Sequence, residues 1–174
     1  TKASQAGEAL AFANHWRDIT GAHPELLVFD SKVTTGAGLA ELHDAGIAHV
    51  ALVTGGNGGI GLGMARGLAK AGAKVAVWGR NPSKNESAVA DLGSLGTEAA
   101  SFTVDVTDED AVAAAMRDTL TRFGHVDSCF ANAGVGKAAA FTEMTVADWN
   151  EVVDINLLGA FLTFTLWEQL GIDP

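Results

Sequence analysis

A run of eight residues from Thr54 to Gly61, Thr-Gly-Gly-Asn-Gly-Gly-Ile-Gly, has the composition of a phosphate-binding turn. It follows the apolar run 49–54 and precedes a helical pattern, so it would join a strand to a helix. Glycine permits a tight turn and lets backbone N–H groups and a helix N-terminus approach a phosphate closely. The segment therefore predicts a site for a dinucleotide pyrophosphate; the alternative is a glycine-rich turn without a ligand.

The elements that must position this turn alternate regularly along the chain. Strands are predicted over 49–54, 74–78, 100–104 and 127–131, and helices over 60–71, 83–95, 108–123 and 145–170. Ser83 is predicted to cap the second helix in a capping box with Glu86, Asp108 the third helix and Thr145 the fourth. This alternation predicts an α/β fold, a Rossmann-like doubly wound parallel sheet with helices on both faces.

Composition narrows the range of partners. The 174 residues, 48% of them apolar, are enough for one folded domain. Asp and Glu outnumber Lys and Arg by 21 to 11, giving a net charge of −10, which argues against nucleic acid and anionic membranes as partners. The five histidines lack metal-ligand spacing, so no metal site is expected.

The location expected from the sequence is the cytoplasm. The lone cysteine, Cys129, cannot form an internal disulfide, which suits a reducing compartment. Residues 1–10 do not have the pattern of a signal peptide. The most apolar stretch, 152–167, is interrupted by Asp154 and Asn156 and is too short to span a membrane.

The spacing Gly55-x-x-x-Gly59-x-Gly61 resembles the Thr-Gly-x-x-x-Gly-x-Gly signature of short-chain dehydrogenases/reductases. Three further segments occur in that family's order: 104–106 (Val-Asp-Val), 131–134 (Ala-Asn-Ala-Gly) and 154–159 (Asp-Ile-Asn-Leu-Leu-Gly). The resemblance covers about residues 48–166. It implies an incomplete Rossmann-like sheet that holds the first four strands of the family order.

The resemblance also implies roles for individual residues. The residues expected to line the pyrophosphate and ribose are Gly55, Asn57, Gly58, Gly59, Ile60 and Gly61. Asp105 and Val106 would contact adenine, and Asn132, Ala133 and Gly134 would stabilise the sheet centre and approach the nicotinamide ribose. Asn156 matches a catalytic Asn that positions a water in the proton relay. Its alternative role is to kink the helix with its side chain bonded to the backbone, and both roles can hold together.

The end of the second predicted strand, Trp78-Gly79-Arg80-Asn81, bears on cofactor choice. An acidic residue there would bond the ribose 2′-hydroxyl and select NAD. No acid is present, and the Arg80 guanidinium can pair bidentately with a 2′-phosphate. We therefore expect NADP to be preferred, with NAD as the other possibility; the alternative is a solvated loop arginine.

The catalytic residues of the family are not found in this chain. The resemblance implies a Ser after a fifth strand and a Tyr-x-x-x-Lys pair, yet the sequence has no tyrosine. We expect the NAD(P)-binding portion of an enzyme that interconverts an alcohol and a carbonyl, with no normal turnover by the chain itself. The substrate would then be bound only in the full-length parent. The alternative is a non-catalytic module that binds cofactor or dimerises.

The truncated pattern would leave apolar surface uncovered. The fourth strand would lack an outer neighbour, and the last helix would expose Phe161, Phe164 and Leu166. In the family this helix contributes to the dimer interface. Either residues 26–29 dock as a substitute strand or two chains pair, and we expect a homo-oligomer.

Residues 1–47 do not continue the regular alternation and are predicted to be an extension preceding a domain at 48–174. The segment 24–42 resembles part of some DDE-type transposases, in which a strand delivers a metal-binding Asp, here Asp30. The alternative is a strand that ends in a capping Asp. A single Asp without carboxylate partners cannot form a two-metal site.

Overall fold

A computed structural model describes residues 14–15, 17–21, 48–140 and 142–171 of the chain. Four parallel strands form one sheet: β1 (Val50–Thr54), β2 (Lys74–Gly79), β3 (Ala99–Thr103) and β4 (Ser128–Phe130). Their order is β3-β2-β1-β4, so β1 is central and pairs with both β2 and β4. The carboxyl ends of all four strands therefore meet at one edge of the sheet.

Helices connect the strands and cover both faces. They are α1 (Gly59–Lys70), α2 (Pro82–Ser94), α3 (Glu109–Phe123), α4 (Val146–Val153) and α5 (Gly159–Gly171), with a π-helical turn at Asp154–Leu158 between the last two. Side chains of β1 alternate, so that Ala51 and Val53 pack with α1 and α2, whereas Val50 and Leu52 pack with α3 and α5. The predicted doubly wound α/β fold is confirmed.

Two of the predicted helix caps are confirmed and one is wrong. The Asp108 carboxylate accepts the Ala111 N–H at 3.0 Å, and Thr145 forms a reciprocal capping box with Asp148. Asn81, not Ser83, caps α2, because its Oδ1 accepts the Lys84 N–H at 3.0 Å. Proline is pre-organised for the first helical position, so Pro82 places the cap at Asn81, two residues before the predicted one, and Ser83 and Glu86 lie inside the helix.

The long last helix differs from the prediction in two respects. The π-helical turn interrupts it, and Leu166 is buried, with 9% of its surface exposed. Phe161 and Phe164 are exposed as expected. Each helical residue turns by about 100°, so Leu166 lies on the face of Leu162, roughly 200° from Phe164, and packs toward α3.

The amino-terminal segment is described only in part. Residues 14–15 and 17–20 are helical. The predicted strand at 26–29, Asp30 and the docking of this strand lie outside the described residues, and the division at residue 48 stays a prediction. No helix in the described ranges is long and apolar enough to cross a membrane.

Candidate cofactor cleft at the carboxyl edge of the sheet

A cleft of about 160 Å³ opens where the carboxyl ends of the four strands meet. Its lining comes from the segments that follow every strand and from the π-helical turn: Gly55, Asn57, Trp78, Gly79, Arg80, Val104, Asp105, Val106, Ala133, Gly134, Val135 and Ile155. In open α/β sheets this edge, outside the carboxyl ends of the strands, is where ligands bind. The fold thus brings distant parts of the sequence to one concave site.

The glycine-rich turn leaves α1 open at its N-terminus. Gly55 and Gly59 have φ angles of 65° and 52°, the left-handed region that glycine adopts at little cost. The N-cap is Gly58, which has no side chain to accept the first N–H groups of α1. Those N–H groups, together with the helix dipole, favour an anion at this position.

Close packing around Gly61 explains why the turn needs glycine there. A Cβ atom on Gly61 would lie 2.5 Å from the Asn132 side-chain nitrogen and still nearer to the Gly55 carbonyl oxygen. The first turn of α1 therefore presses against both the glycine-rich turn and the loop that follows β4. Any larger residue would push these segments apart.

Hydrogen bonds join the loop after β4 to the end of β1. The Asn132 side chain donates to the Thr54 carbonyl at 3.1 Å, and the Ala133 N–H donates to the Thr54 hydroxyl at 2.9 Å. Thr54 is buried, so neither bond competes strongly with water. Asn132 supports the site from behind, whereas Ala133 and Gly134 line the cleft.

Asn156 lies within the π-helical turn, and both polar atoms of its side-chain amide are hydrogen-bonded to the backbone of Val135. Its Oδ1 accepts the Val135 N–H at 2.8 Å and its Nδ2 donates to the Val135 carbonyl at 2.9 Å. These bonds tie the last helix to the loop that lines the cleft. The structure thus shows the backbone-bonded arrangement; the catalytic role of Asn156 stays a prediction.

Asp105 and Arg80 meet at one end of the cleft. Oδ1 of Asp105 accepts from the Thr107 N–H at 3.1 Å and from the Thr107 hydroxyl at 2.8 Å, and these bonds lower the pKa of the carboxyl. Oδ2 faces the Arg80 guanidinium at 3.9 Å. The neighbouring Val106 is 7% exposed and contributes an apolar wall.

A family model described as short chain dehydrogenase matches residues 49–169. The chain belongs to the short-chain dehydrogenase family. That match contains the sheet, all five helices except the end of α5, and every residue of the cleft.

Individual relatives agree with the family assignment. The 2-dehydro-3-deoxy-D-gluconate 5-dehydrogenase of Formosa agariphila is 40% identical over 114 residues, which are 65% of this chain and 43% of that protein. An alcohol dehydrogenase from the archaeon Thermococcus sibiricus, solved with 5-hydroxy-NADP, has a TM-score of 0.68 and 32% identity over 70% of this chain and 52% of its own. An NAD⁺-bound xylitol dehydrogenase has a TM-score of 0.68 and 36% identity over 70% and 47%.

The chain spans about half the length of the short-chain dehydrogenases that it matches. The matched part holds the first four strands, the glycine-rich turn and the loop after β4. The family assignment therefore applies to this portion, and the activity of a whole enzyme is a proposal.

Some of the predicted site residues of this short-chain dehydrogenase do not line the cleft. The predicted pyrophosphate and ribose residues that lie outside its lining are Gly58, Gly59, Ile60 and Gly61, and Ile60 is 80% exposed. Their contact with a pyrophosphate stays a prediction. Within the described ranges, no group of three His, Cys, Asp or Glu residues is placed to hold a metal ion.

Sequence reasoning missed Asn85, a buried amide on α2 that supports the cleft. Its Oδ1 accepts from the Asn57 side chain at 2.6 Å, and its Nδ2 donates to the Gly79 carbonyl at 2.9 Å and the Phe102 carbonyl at 3.3 Å. It thereby links the glycine-rich turn to the ends of β2 and β3. The sequence does indicate that Asn85 is buried, because it lies at helical spacing from the apolar residues Ala88 and Leu92.

Proposed function

We propose that this chain is the NAD(P)-binding portion of a short-chain dehydrogenase/reductase whose parent enzyme interconverts an alcohol and a carbonyl. The observation that carries the proposal is the glycine-rich turn, which leaves the N-terminus of α1 uncapped beside the cleft. Gly61 leaves no room for a Cβ, so the glycine-rich turn and α1 lie close together. This close approach supports a cradle shaped for a pyrophosphate.

Distinct groups would hold the parts of the cofactor. The N–H groups at the start of α1 would stabilise the pyrophosphate, Asp105 and Val106 would contact adenine, and Ala133 and Gly134 would approach the nicotinamide ribose. When bound, the nicotinamide supplies or accepts a hydride. The residues of this chain would bind and orient that group.

NADP is the proposed preferred cofactor, with NAD also accepted. Arg80 lines the cleft and its side chain is 63% exposed, so its guanidinium can turn toward a 2′-phosphate. The Thermococcus alcohol dehydrogenase was solved with an NADP derivative and the xylitol dehydrogenase with NAD⁺, so relatives with this fold take either form.

Turnover is a separate matter from binding. The chain has no tyrosine to act as the proton donor or acceptor that the family uses, and Asn156 alone cannot replace it. We infer that the chain binds cofactor without reducing carbonyl compounds by itself. This absence also favours the second candidate, a non-catalytic module that binds cofactor or dimerises; NADPH-dependent carbonyl reduction by the purified chain would contradict both expectations.

Calorimetric titration of the chain with NADPH and NADH tests the binding proposal. Arg80→Ala should weaken NADPH binding by about tenfold, because a charge-assisted contact is lost, and should change NADH binding little. Arg66→Ala is the matched control, since Arg66 pairs with Asp91 at 2.7 Å on α2 and does not line the cleft. An unchanged NADPH affinity in Arg80→Ala would refute the assignment of Arg80.

A homo-oligomer in the cytoplasm is the proposed form of the protein. Phe161, Phe164 and Leu157 are 60%, 45% and 67% exposed and lie on the last helix and its π-helical turn. Such an apolar surface favours association with a second copy. Light scattering that finds only monomer at high concentration would oppose this part of the proposal.

A further inference from the structure

A second, wider cleft continues from the first at Arg80 and Asp105, which line both. Its volume is about 470 Å³, and its far wall is formed by α4 and the π-helical turn, including Glu151 and Asp154. Around this cleft, carboxylates outnumber cationic side chains. Among the described residues that line it, Arg80 is the one cation, and the carboxylates are Asp105, Glu151 and Asp154.

These three carboxylates have different partners. Glu151 is paired with Lys137, which also bonds Asp148 at 2.8 Å, so these two carboxylates share one cation. Asp154 forms no ion pair within the described part of the chain. Only Asp105 faces Arg80, at 3.9 Å, and it does so with the oxygen that Thr107 leaves free.

Two hydrogen bonds and an ion pair hold Asp105, whereas one ion pair holds Arg80 within the described residues. Two hydrogen bonds from Thr107 hold one oxygen of Asp105, and the same bonds keep the carboxyl charged by lowering its pKa. The Arg80 side chain is 63% exposed, and the Asp105 contact is the one ion pair that it makes within the described residues. The anchored carboxylate therefore sets where the exposed guanidinium lies before a ligand arrives.

We propose that Asp105 is a specificity-determining residue that restrains the preference for NADP by occupying the guanidinium of Arg80. The inference rests on the proposed function, because it concerns the 2′ end of the same cofactor site. A 2′-phosphate must draw the Arg80 guanidinium away from Asp105. This competition reduces the binding free energy gained from the contact between Arg80 and the phosphate. A 2′-hydroxyl has no charge and does not depend on that exchange, so NAD binding is affected less.

Substitution of Asp105 by Asn removes the charge and keeps an oxygen that can accept from Thr107. Calorimetry with NADPH and NADH should show that the ratio of the two affinities rises by up to about fivefold in favour of NADPH, the upper end of the range for an exposed ion pair. Both cofactors contain adenine, so a changed adenine contact cancels in the ratio. Asp105→Ser is a second variant with the same expected direction, should the Asn protein fail to fold.

Two further variants separate this role from a general charge effect. Asp154→Asn makes the same charge change in the same cleft without touching Arg80, and it should shift the ratio less than about twofold, because exposed charges without a close partner are screened by solvent. In an Arg80→Ala background, Asp105→Asn should likewise leave the ratio nearly unchanged. Asp91→Asn controls for net charge, because Asp91 pairs with Arg66 of α1 and lines neither cleft.

The outcomes distinguish the inference from the proposed function. If the folded wild-type chain binds neither cofactor, the proposed function fails. If it binds them and Asp105→Asn leaves the ratio unchanged, the inference alone is overturned. It is overturned equally if Asp154→Asn raises the ratio as much as Asp105→Asn, or if the rise persists without Arg80.

Discussion

The two ends of the β1–β4 pair use their polar groups in opposite ways. At the amino end, the polar groups satisfy one another. The Val50 N–H donates to Asp127 at 2.6 Å, the His125 ring lies 3.1 Å from the same carboxylate oxygen, and His49 bonds the Ser128 hydroxyl at 3.0 Å. The His49 and Asp127 side chains are nearly buried, so their polar groups are largely shielded from solvent.

At the carboxyl end, the same two strands lead into loops. The side chains behind the cleft are hydrogen-bonded there, whereas the backbone N–H groups in front of it have no side-chain acceptor. Thr54 and Asn132 hold the loops together from behind. In front, the N-cap Gly58 leaves the first N–H groups of α1 without a side-chain acceptor. Hydrogen bonds among side chains therefore mark the structural end of this sheet, and backbone donors left open mark the end proposed to bind the cofactor.

The largest effect is expected from filling the contact at Gly61. Gly61→Val should abolish measurable NADPH binding and lower the free energy of unfolding by about 2 kcal/mol, because the new side chain overlaps Gly55 and Asn132. Titration calorimetry and urea unfolding measure the two effects.

Gly63→Ala is the matched control for that substitution. A Cβ at Gly63 meets nothing within 4 Å, and Gly63 lies on the exposed side of the same helix. Alanine there should raise the free energy of unfolding by about 0.5 kcal/mol and leave NADPH binding intact. Normal binding by Gly61→Val would contradict the account of the carboxyl end.

An intermediate effect is expected at the amino end. Asp127→Ala removes the acceptor of the Val50 N–H and the partner of His125, so the free energy of unfolding should fall by about 2 kcal/mol. NADPH affinity, measured on the folded variant at low temperature, should stay the same. A large loss of affinity with little loss of stability would show that the two ends do not differ as described.

The smallest effect is a pH dependence at the amino end. The hydrogen bond with Asp127 raises the pKa of His125, whereas burial lowers the pKa of His49 from its usual 6.5. Protonation of His125 therefore adds stability below about pH 6.5, and this gain is lost as the pH rises through its raised pKa. Protonation of His49 instead costs stability as the pH falls below about 6.5.

Variants of the two histidines should separate these opposing contributions. On acidification from about pH 8 to about pH 5.5, His125→Gln should lose more free energy of unfolding than the wild type, and His49→Gln should lose less. Urea unfolding at several pH values provides the test. Equal slopes for the three proteins would show that neither histidine is coupled to folding in this way.

The main elements of this fold follow from the sequence because their causes are local. Apolar runs predict the four strands, and caps such as Asp108 and Thr145 predict helix starts. The Asn81 cap of α2 also has a local cause, because Pro82 occupies the first helical position. The family resemblance predicted which loops would meet at the carboxyl edge.

The remaining features depend on contacts between distant segments. The π-helical turn coincides with the two bonds between Asn156 and Val135, a pairing across 21 residues that no helical periodicity reveals. The burial of Leu166 depends on the packing of α5 against α3. The pair of Arg80 and Asp105 likewise depends on the neighbouring positions of β2 and β3 in the sheet.

Mapping of backbone amide shifts by NMR during titration with NADPH tests the central claim most directly. We predict saturable shifts of amides that line the cleft or begin α1, including Gly55, Gly59 and Gly134, with His49 and His125 unaffected. The same titration of Gly61→Val should show no saturable change. Saturable shifts at the amino end with none at the carboxyl end, or no shifts in a folded chain, would contradict the account.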